Sequence, residues 1–310
     1  MDFTQESLER FRGMHAVIRK TLSIPPLNGT DRYANFFRKY RDEFANANSD
    51  HVESWMAIYY TYERWSAYKT IYKIDPRFLS MLTGTDDTPI HTELFARLPF
   101  PAFYVSSQTE SGADLGFIAT FERQPDTSYD LILTCIDDKM DTELVIRCFN
   151  LNIRNGQTVS EAILSTHPDE SGAPLTGHVM TAILTAYYLV SLNPDIRQIK
   201  TPKSKRPTKQ NGTRLNFRKW EVGFREGASI ERMMKQDESE PTGKTIHRTH
   251  RNRPHVRRAH WHHYWTGKGR TELTVRWLAP MVINENVESG TIIPTVHQSE
   301  SLNTKESTNG

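Results

Sequence analysis

A chain of 310 residues with 37% hydrophobic and 25% charged residues can bury a sizeable core, and at this length two domains are expected. Its longest apolar run, Val179 to Leu192, is too short to span a bilayer, and the acidic start Met1-Asp2-Phe3-Thr4-Gln5-Glu6 lacks the basic region of a signal peptide. Neither a membrane-spanning nor a secreted protein is expected, but a soluble, cytoplasmic one with reduced Cys135 and Cys148.

The net charge of +2 conceals an asymmetry. Residues 200–276 hold 20 Lys/Arg against 7 Asp/Glu, which leaves 19 against 30 in the remainder. A basic C-terminal part on an acidic body suits a nucleic acid or an acidic partner; docking of that part on its own acidic body is the structural alternative.

In chain order, Leu8, Phe11, Met14 or His15, and Ile18 fall at helical spacing in a first helix that Pro25-Pro26 ends. A second helix covers roughly Asp31 to Ala47. A third starts near Ser49-Asp50 and runs to about Ile74, with Trp55, Tyr59, Tyr60, Tyr62, Trp65, Tyr68 and Tyr72 spread too widely for one stripe, so contacts on two sides are expected. The period then changes to short β-branched and aromatic runs at Ala102–Val105, Leu115–Ala119, Tyr129–Cys135 and Glu143–Phe149, an antiparallel meander closed by Asn155-Gly156. Thr158-Val-Ser-Glu161 reads as a capping box opening a short helix. A longer helix follows from about Pro174 to Ser191, stopping before Asn193-Pro194. Residues 201–210 form a basic, proline-broken linker, Phe217 to Phe224 a strand before a helical turn, and Asp237 to Pro241 an acidic loop.

The expectation is an α+β fold: a helical region at 1–97, an antiparallel sheet with flanking helices at 98–200, a basic region with a β-hairpin at 201–285, and a disordered tail at 286–310. Asp137, Asp138, Asp141 and Glu143 read as a solvated strand turn rather than a divalent-metal site. The chain contains no Walker loop, dinucleotide fingerprint, HExxH, nucleophile elbow or paired-cysteine zinc pattern, so no cofactor is expected.

The richest stretch is 255–270, His-Val-Arg-Arg-Ala-His-Trp-His-His-Tyr-Trp-Thr-Gly-Lys-Gly-Arg. Along a strand it places His260, His262 and Tyr264 on one side and Trp261, His263 and Trp265 on the other. Gly267-Lys-Gly-Arg270 supplies a turn, and Thr271 to Ile283 returns with Leu273, Val275 and Trp277 on one face. Pro254 biases the preceding arm toward an extended conformation. Three chemistries fit these residues. His260, His262 and His255 resemble metal ligands, but no acidic residue lies between Glu240 and Glu272 and four Lys/Arg in the same stretch repel a cation, so no metal is expected. His260 or His262 beside arginines suits metal-independent RNA cleavage. Binding asks least of the geometry, because guanidiniums pair with phosphates or carboxylates and tryptophans stack on bases or peptides. The candidate binding residues are His255, Arg257, Arg258, His260, Trp261, His262, Tyr264, Trp265, Lys268, Arg270, Arg276 and Trp277. A hairpin whose tryptophans merely fill a core stands beside these readings.

The run Arg251-Asn-Arg-Pro-His255, then His255-x-Arg-Arg-x-His-Trp-His262, Tyr264-Trp265, Gly267, Arg276-Trp277 and Val282-x-Asn284 resembles the C-terminal region of the large two-part type V-A anti-CRISPR proteins. Weaker matches are Leu98-Pro99 with Tyr104-Val105, and Gly156-Gln157-x-Val159-x-Glu161. Related segments are familiar from plasmid and phage proteins. The resemblance implies a non-enzymatic interaction protein of a mobile genetic element. Such a protein would engage the nascent N-terminal peptide of the type V-A CRISPR nuclease and lower its mRNA during translation, with RNA or the ribosome as further partners and no membrane. The alternative is a plasmid or phage nucleic-acid-binding or ribonuclease-like protein using the His/Arg/Trp motif.

Overall fold

The computed structural model describes residues 3–29, 31–45, 52–85, 87–108, 112–138, 144–166, 175–199, 217–239 and 255–283. Among them a seven-stranded sheet organises the chain. Its meander runs β2 (Ala102–Gln108), β3 (Asp114–Arg123), β4 (Tyr129–Asp138) and β5 (Leu144–Ile153), each antiparallel to the next as the consecutive β-branched and aromatic runs predict. The sheet then continues past β2 through β1 (Thr70–Ile74), β7 (Arg218–Val222) and β6 (Ile196–Ile199). Strand β1 is parallel to both β2 and β7, so the sheet is mixed. One sheet thus takes strands from the regions 1–97, 98–200 and 201–285.

Side chains alternate between the two faces, and each face has its own core. On one side Tyr104, Ile118, Ile132 and Ile136 meet α1 (Phe3–Leu22), α2 (Tyr33–Ala45) and α3 (Val52–Tyr68). Leu8, Phe11 and Ile18 of α1 are buried there at the expected helical spacing. Helix α3 lies against the sheet and the other two helices at once, which accounts for its wide aromatic distribution. On the other side Phe103, Phe117, Leu131, Leu133 and Leu151 meet α4 (Pro76–Thr83), a 3-10 turn (Thr92–Arg97), α5 (Val159–Thr166) and α6 (Leu175–Leu189). Cys135 and Cys148 stand on neighbouring strands, belong to opposite cores, and are both free thiols.

The third helix is shorter than its periodicity predicts. It ends at Tyr68, Lys69 turns left-handed (φ 50°), and Thr70 opens β1. Trp65 locks the break by donating its indole N–H to the Thr70 carbonyl at 2.8 Å. The run Thr70–Ile74 is flanked by strands on both edges and buried at four of its five positions, so both its faces are apolar and no alternation marks it. The expected cap at Ser49-Asp50 lies outside the described residues, as do 201–210 and 286–310.

Helix α4 was not foreseen. Asp75 caps it, accepting from the backbone N–H of Arg77 and Phe78, and Pro76 occupies its first turn. The capping box at α5 forms as expected: Thr158 N–H donates to Glu161 at 2.9 Å, and Glu161 N–H to the Thr158 hydroxyl at 3.1 Å. After β7, Gly223 (φ +72°) turns the chain into α7 (Phe224–Ser239), a full helix rather than one turn. Asp237 to Ser239 are therefore helical rather than part of a loop, and 240–241 lie outside the described residues. No described helix is long and apolar enough to cross a membrane.

Candidate functional site

The hairpin forms as its alternation and glycines dictate. Strand β9 (His260–Thr266) pairs antiparallel with β10 (Glu272–Leu278), with Trp261 opposite Trp277, His262 opposite Arg276, and Trp265 opposite Leu273. Gly267 (φ +78°), Gly269 (φ +83°) and Arg270 (φ 56°) make the turn, a conformation glycine adopts without steric cost. Beyond Ala279-Pro280, β11 (Met281–Ile283) pairs with β8 (His255–Arg257), so the described part of the arm before the hairpin is extended.

One face of the hairpin belongs to the core. Trp261 packs edge-on against Tyr187 of α6, with ring centroids 5.0 Å apart. Trp277 sits edge-on to Phe78 at 5.1 Å and donates its indole N–H to the Thr85 hydroxyl at 3.2 Å. Leu273 and Val275 complete the buried stripe, and the Leu192 N–H donates to the Val275 carbonyl at 2.7 Å. Trp261 and Trp277 therefore anchor the hairpin to the body and offer no surface to a partner. Trp261 also lines a small cavity of about 50 Å³ together with Asp87, Ser160 and Tyr187, a volume on the scale of a water molecule.

His263 lies on the same inner face. Burial pushes the Tyr187 phenol well above its ordinary pKa, so its O–H stays protonated and donates to His263 Nε2 at 2.9 Å. The ring of His91 stands edge-on to His263 at 4.8 Å, and the His91 backbone N–H points to the same phenol oxygen. The His263 imidazole is held below its ordinary pKa by burial first, then by His91 and His262. No sequence signal links His91, Tyr187 and His263, because the fold brings them together from three separate elements.

The other face looks to solvent. It carries His260, His262 and Tyr264 from β9 and Arg276 from β10, with Arg257 and Arg258 at its margin. His262 and Tyr264 pack with ring centroids 4.2 Å apart. Arg257 Nη2 donates to His260 Nε2 at 3.0 Å, while His260 Nδ1 lies 3.2 Å from the Arg258 carbonyl. Together the two contacts orient the ring, Nε2 toward the guanidinium and Nδ1 toward the carbonyl. At the tip Trp265 is 57% exposed beside Lys268 and Arg270. His255 is placed on β8 at the base of the same module.

The arrangement gives a solvent-facing set of guanidiniums, imidazoles and aromatic rings on a rigid ribbon, backed by two buried indoles. Such a surface can pair with phosphates or carboxylates and stack on planar groups. Among the described residues no group of three or more His, Cys, Asp or Glu is placed to hold a metal ion.

The AcrVA2-like family, anti-CRISPR type V subtype A2, matches residues 72–285, from β1 through the hairpin module. The chain belongs to the AcrVA2-like family. It is thus a member of a type V-A anti-CRISPR family, in agreement with the resemblance carried by the motif at 251–284. The crystal structure of AcrVA2 is similar to this chain at 20% identity and a TM-score of 0.49, covering 90% of this chain and 94% of that one. No curated protein matches the sequence. In this AcrVA2-like chain the match takes in the whole second core and the hairpin, while α1, α2 and α3 precede it.

Proposed function

We propose that this protein lowers production of the type V-A CRISPR nuclease by engaging the nuclease's nascent N-terminal segment and reducing its mRNA, with the outer face of the hairpin contacting RNA or the ribosome. The observation that carries the reading is the membership in the type V subtype A2 anti-CRISPR family. The hairpin supports its second half. Arg257, Arg258, Lys268, Arg270 and Arg276 are exposed beside the His262–Tyr264 pair and the Trp265 ring. That is the chemistry of backbone pairing plus base stacking.

The experiment compares nuclease protein and messenger in cells with and without this chain, for two nuclease genes. One gene is native and the other has its first codons recoded to a different peptide. Loss of both protein and messenger for the native gene alone is the expected result. Equal loss for both genes would remove peptide recognition, and no loss for either would remove the activity itself. Incubation of purified RNA with the protein and a chelator separates binding from cleavage. The RNA is expected to survive; cleavage abolished by His260→Ala and His262→Ala would make the hairpin a ribonuclease.

A further inference from the structure

A second polar site lies far from the hairpin, on the helical side of the sheet. Where the link between α1 and α2 crosses the end of α3 and the strands β2 and β3, a cleft of about 440 Å³ opens to solvent. Arg32, Arg64 and Arg123 line it, with Glu122 as the one carboxylate among the lining residues. Three guanidiniums facing one concavity need a reason, because like charges in a cleft repel and the low-dielectric walls focus their field.

Glu122 does not answer all three. It is buried and committed to the fold: Tyr33 N–H at the start of α2 donates to it at 3.1 Å, and the Tyr60 hydroxyl also lies against it. Arg64 is the guanidinium it faces, at 3.7 Å. Arg64 is itself fixed by two N–H groups directed at the Tyr60 oxygen, at 2.9 and 3.0 Å. Arg32 and Arg123 are exposed arms on either side, and Arg32 donates to the Arg123 carbonyl. Among the described residues neither of them has a carboxylate partner in an ion pair. The cleft therefore presents one preorganised and two adjustable guanidiniums, beside the half-buried Tyr68 and Pro101.

We propose that the cleft between Arg32, Arg64 and Arg123 is a peptide-anchoring site that takes the carboxylate of an acidic residue while the adjoining peptide rests on Tyr68 and Pro101. The assignment deepens the reading that the chain engages a peptide, and rests on it. Charge favours a peptide over RNA here. The cleft sets three guanidiniums against the one carboxylate of Glu122, a local excess of two positive charges that a single carboxylate can occupy, without the run of further cations that a string of phosphates would need. Bidentate pairing of guanidinium with carboxylate supplies the geometric selectivity.

The test titrates the full-length protein by calorimetry with a synthetic peptide of the nuclease's N-terminal segment, and with versions in which each Asp or Glu is replaced in turn by its amide. Arg32→Ala and Arg123→Ala alter only exposed side chains, so circular dichroism is expected to be unchanged. Each is expected to weaken the parent peptide by at least about tenfold, and one amide peptide is expected to show the same loss with little further effect of the arginine changes. A parent peptide that binds both variants as tightly as the unaltered protein overturns the site while leaving peptide recognition standing.

A second arm uses acetyl-Leu-Asp-amide, acetyl-Leu-Asn-amide and inorganic phosphate as NMR probes of arginine Nε resonances. The acidic dipeptide is expected to move those of Arg32, Arg64 and Arg123, and the amide dipeptide to leave them in place. If the nuclease peptide fails to bind but the acidic dipeptide moves these signals, the site stands and its peptide comes from another protein. Phosphate acting as strongly as the acidic dipeptide makes the cleft a general anion site and overturns the assignment to a peptide. So does silence of all three probes together with absent peptide binding.

Discussion

At His263 the chemistry sets a pH dependence whose sign can be worked out. Burial, then His91 and His262, hold its pKa in the folded chain below the ordinary value near 6.5. Between that lowered value and about 6.5 the unfolded chain binds more protons than the folded one, so stability rises with pH. The contribution is fully present above about 6.5 and is lost as pH falls toward the lowered pKa. Protonation also removes the acceptor that Nε2 presents to the Tyr187 hydroxyl. His263→Gln is therefore expected to flatten the thermal stability profile between pH 7.5 and 5.5, whereas the unaltered protein loses stability across that window. A steeper profile in the variant would place the proton elsewhere. Little of this residue-level picture was legible in the sequence. The alternation placed His263 on the same side of the strand as Trp261 and Trp265, but His91 and Tyr187 are distant in the chain and only the packing of α6 against the hairpin joins them.

The elements that declared themselves are those with a strong local period. The hairpin alternates and its turn carries Gly-Lys-Gly, so its type and register follow from the pleat, while the meander shows as β-branched and aromatic runs parted by turn formers such as Gln124-Pro125-Asp126. Strands β1 and β6 did not declare themselves in the same way, whereas β7 falls within the expected strand Phe217 to Phe224. Flanked on both edges, β1 shows no alternation, and its Tyr72 continues the helical spacing of Tyr68. Its partners lie far along the chain, and parallel pairing leaves no short turn to read. The hairpin also holds a contrast that pattern alone did not resolve: two tryptophans on the same strand face, one buried and one exposed. Trp261 fills core against Tyr187, so Trp261→Ala is expected to cost about 3–5 kcal/mol in urea unfolding. Trp265, 57% exposed at the tip, is expected to change stability by less than about 0.5 kcal/mol when made Ala. The same change is expected to weaken binding of single-stranded RNA by about 1–3 kcal/mol, one lost stacking contact. Equal stability losses for the two variants would mean that the tip is covered rather than free.

At the scale of the molecule, positive charge is concentrated in residues 200–276 while the rest of the chain carries an acid excess. Under the proposed RNA contact, this asymmetry would direct a polyanion to the hairpin and away from the rest of the surface. The size of that footprint is measurable through counterion release. Arg257, Arg258, Lys268, Arg270 and Arg276 are the exposed cations of the hairpin module. If each neutralises one phosphate of a single strand, the plot of log affinity against log salt has a slope of about −3.5, since each contact contributes about −0.7. Replacing Arg257 and Arg258 together by Ala is expected to bring the slope to about −2 with the fold intact, because both side chains are exposed. A slope near −7 would require about ten phosphate contacts, twice what the hairpin offers, and would extend the interface into the basic stretch at 200–254. A slope untouched by the double substitution would take RNA off the hairpin altogether. Its outer face would then be free for a protein partner, and the charge asymmetry would serve association with an acidic surface instead.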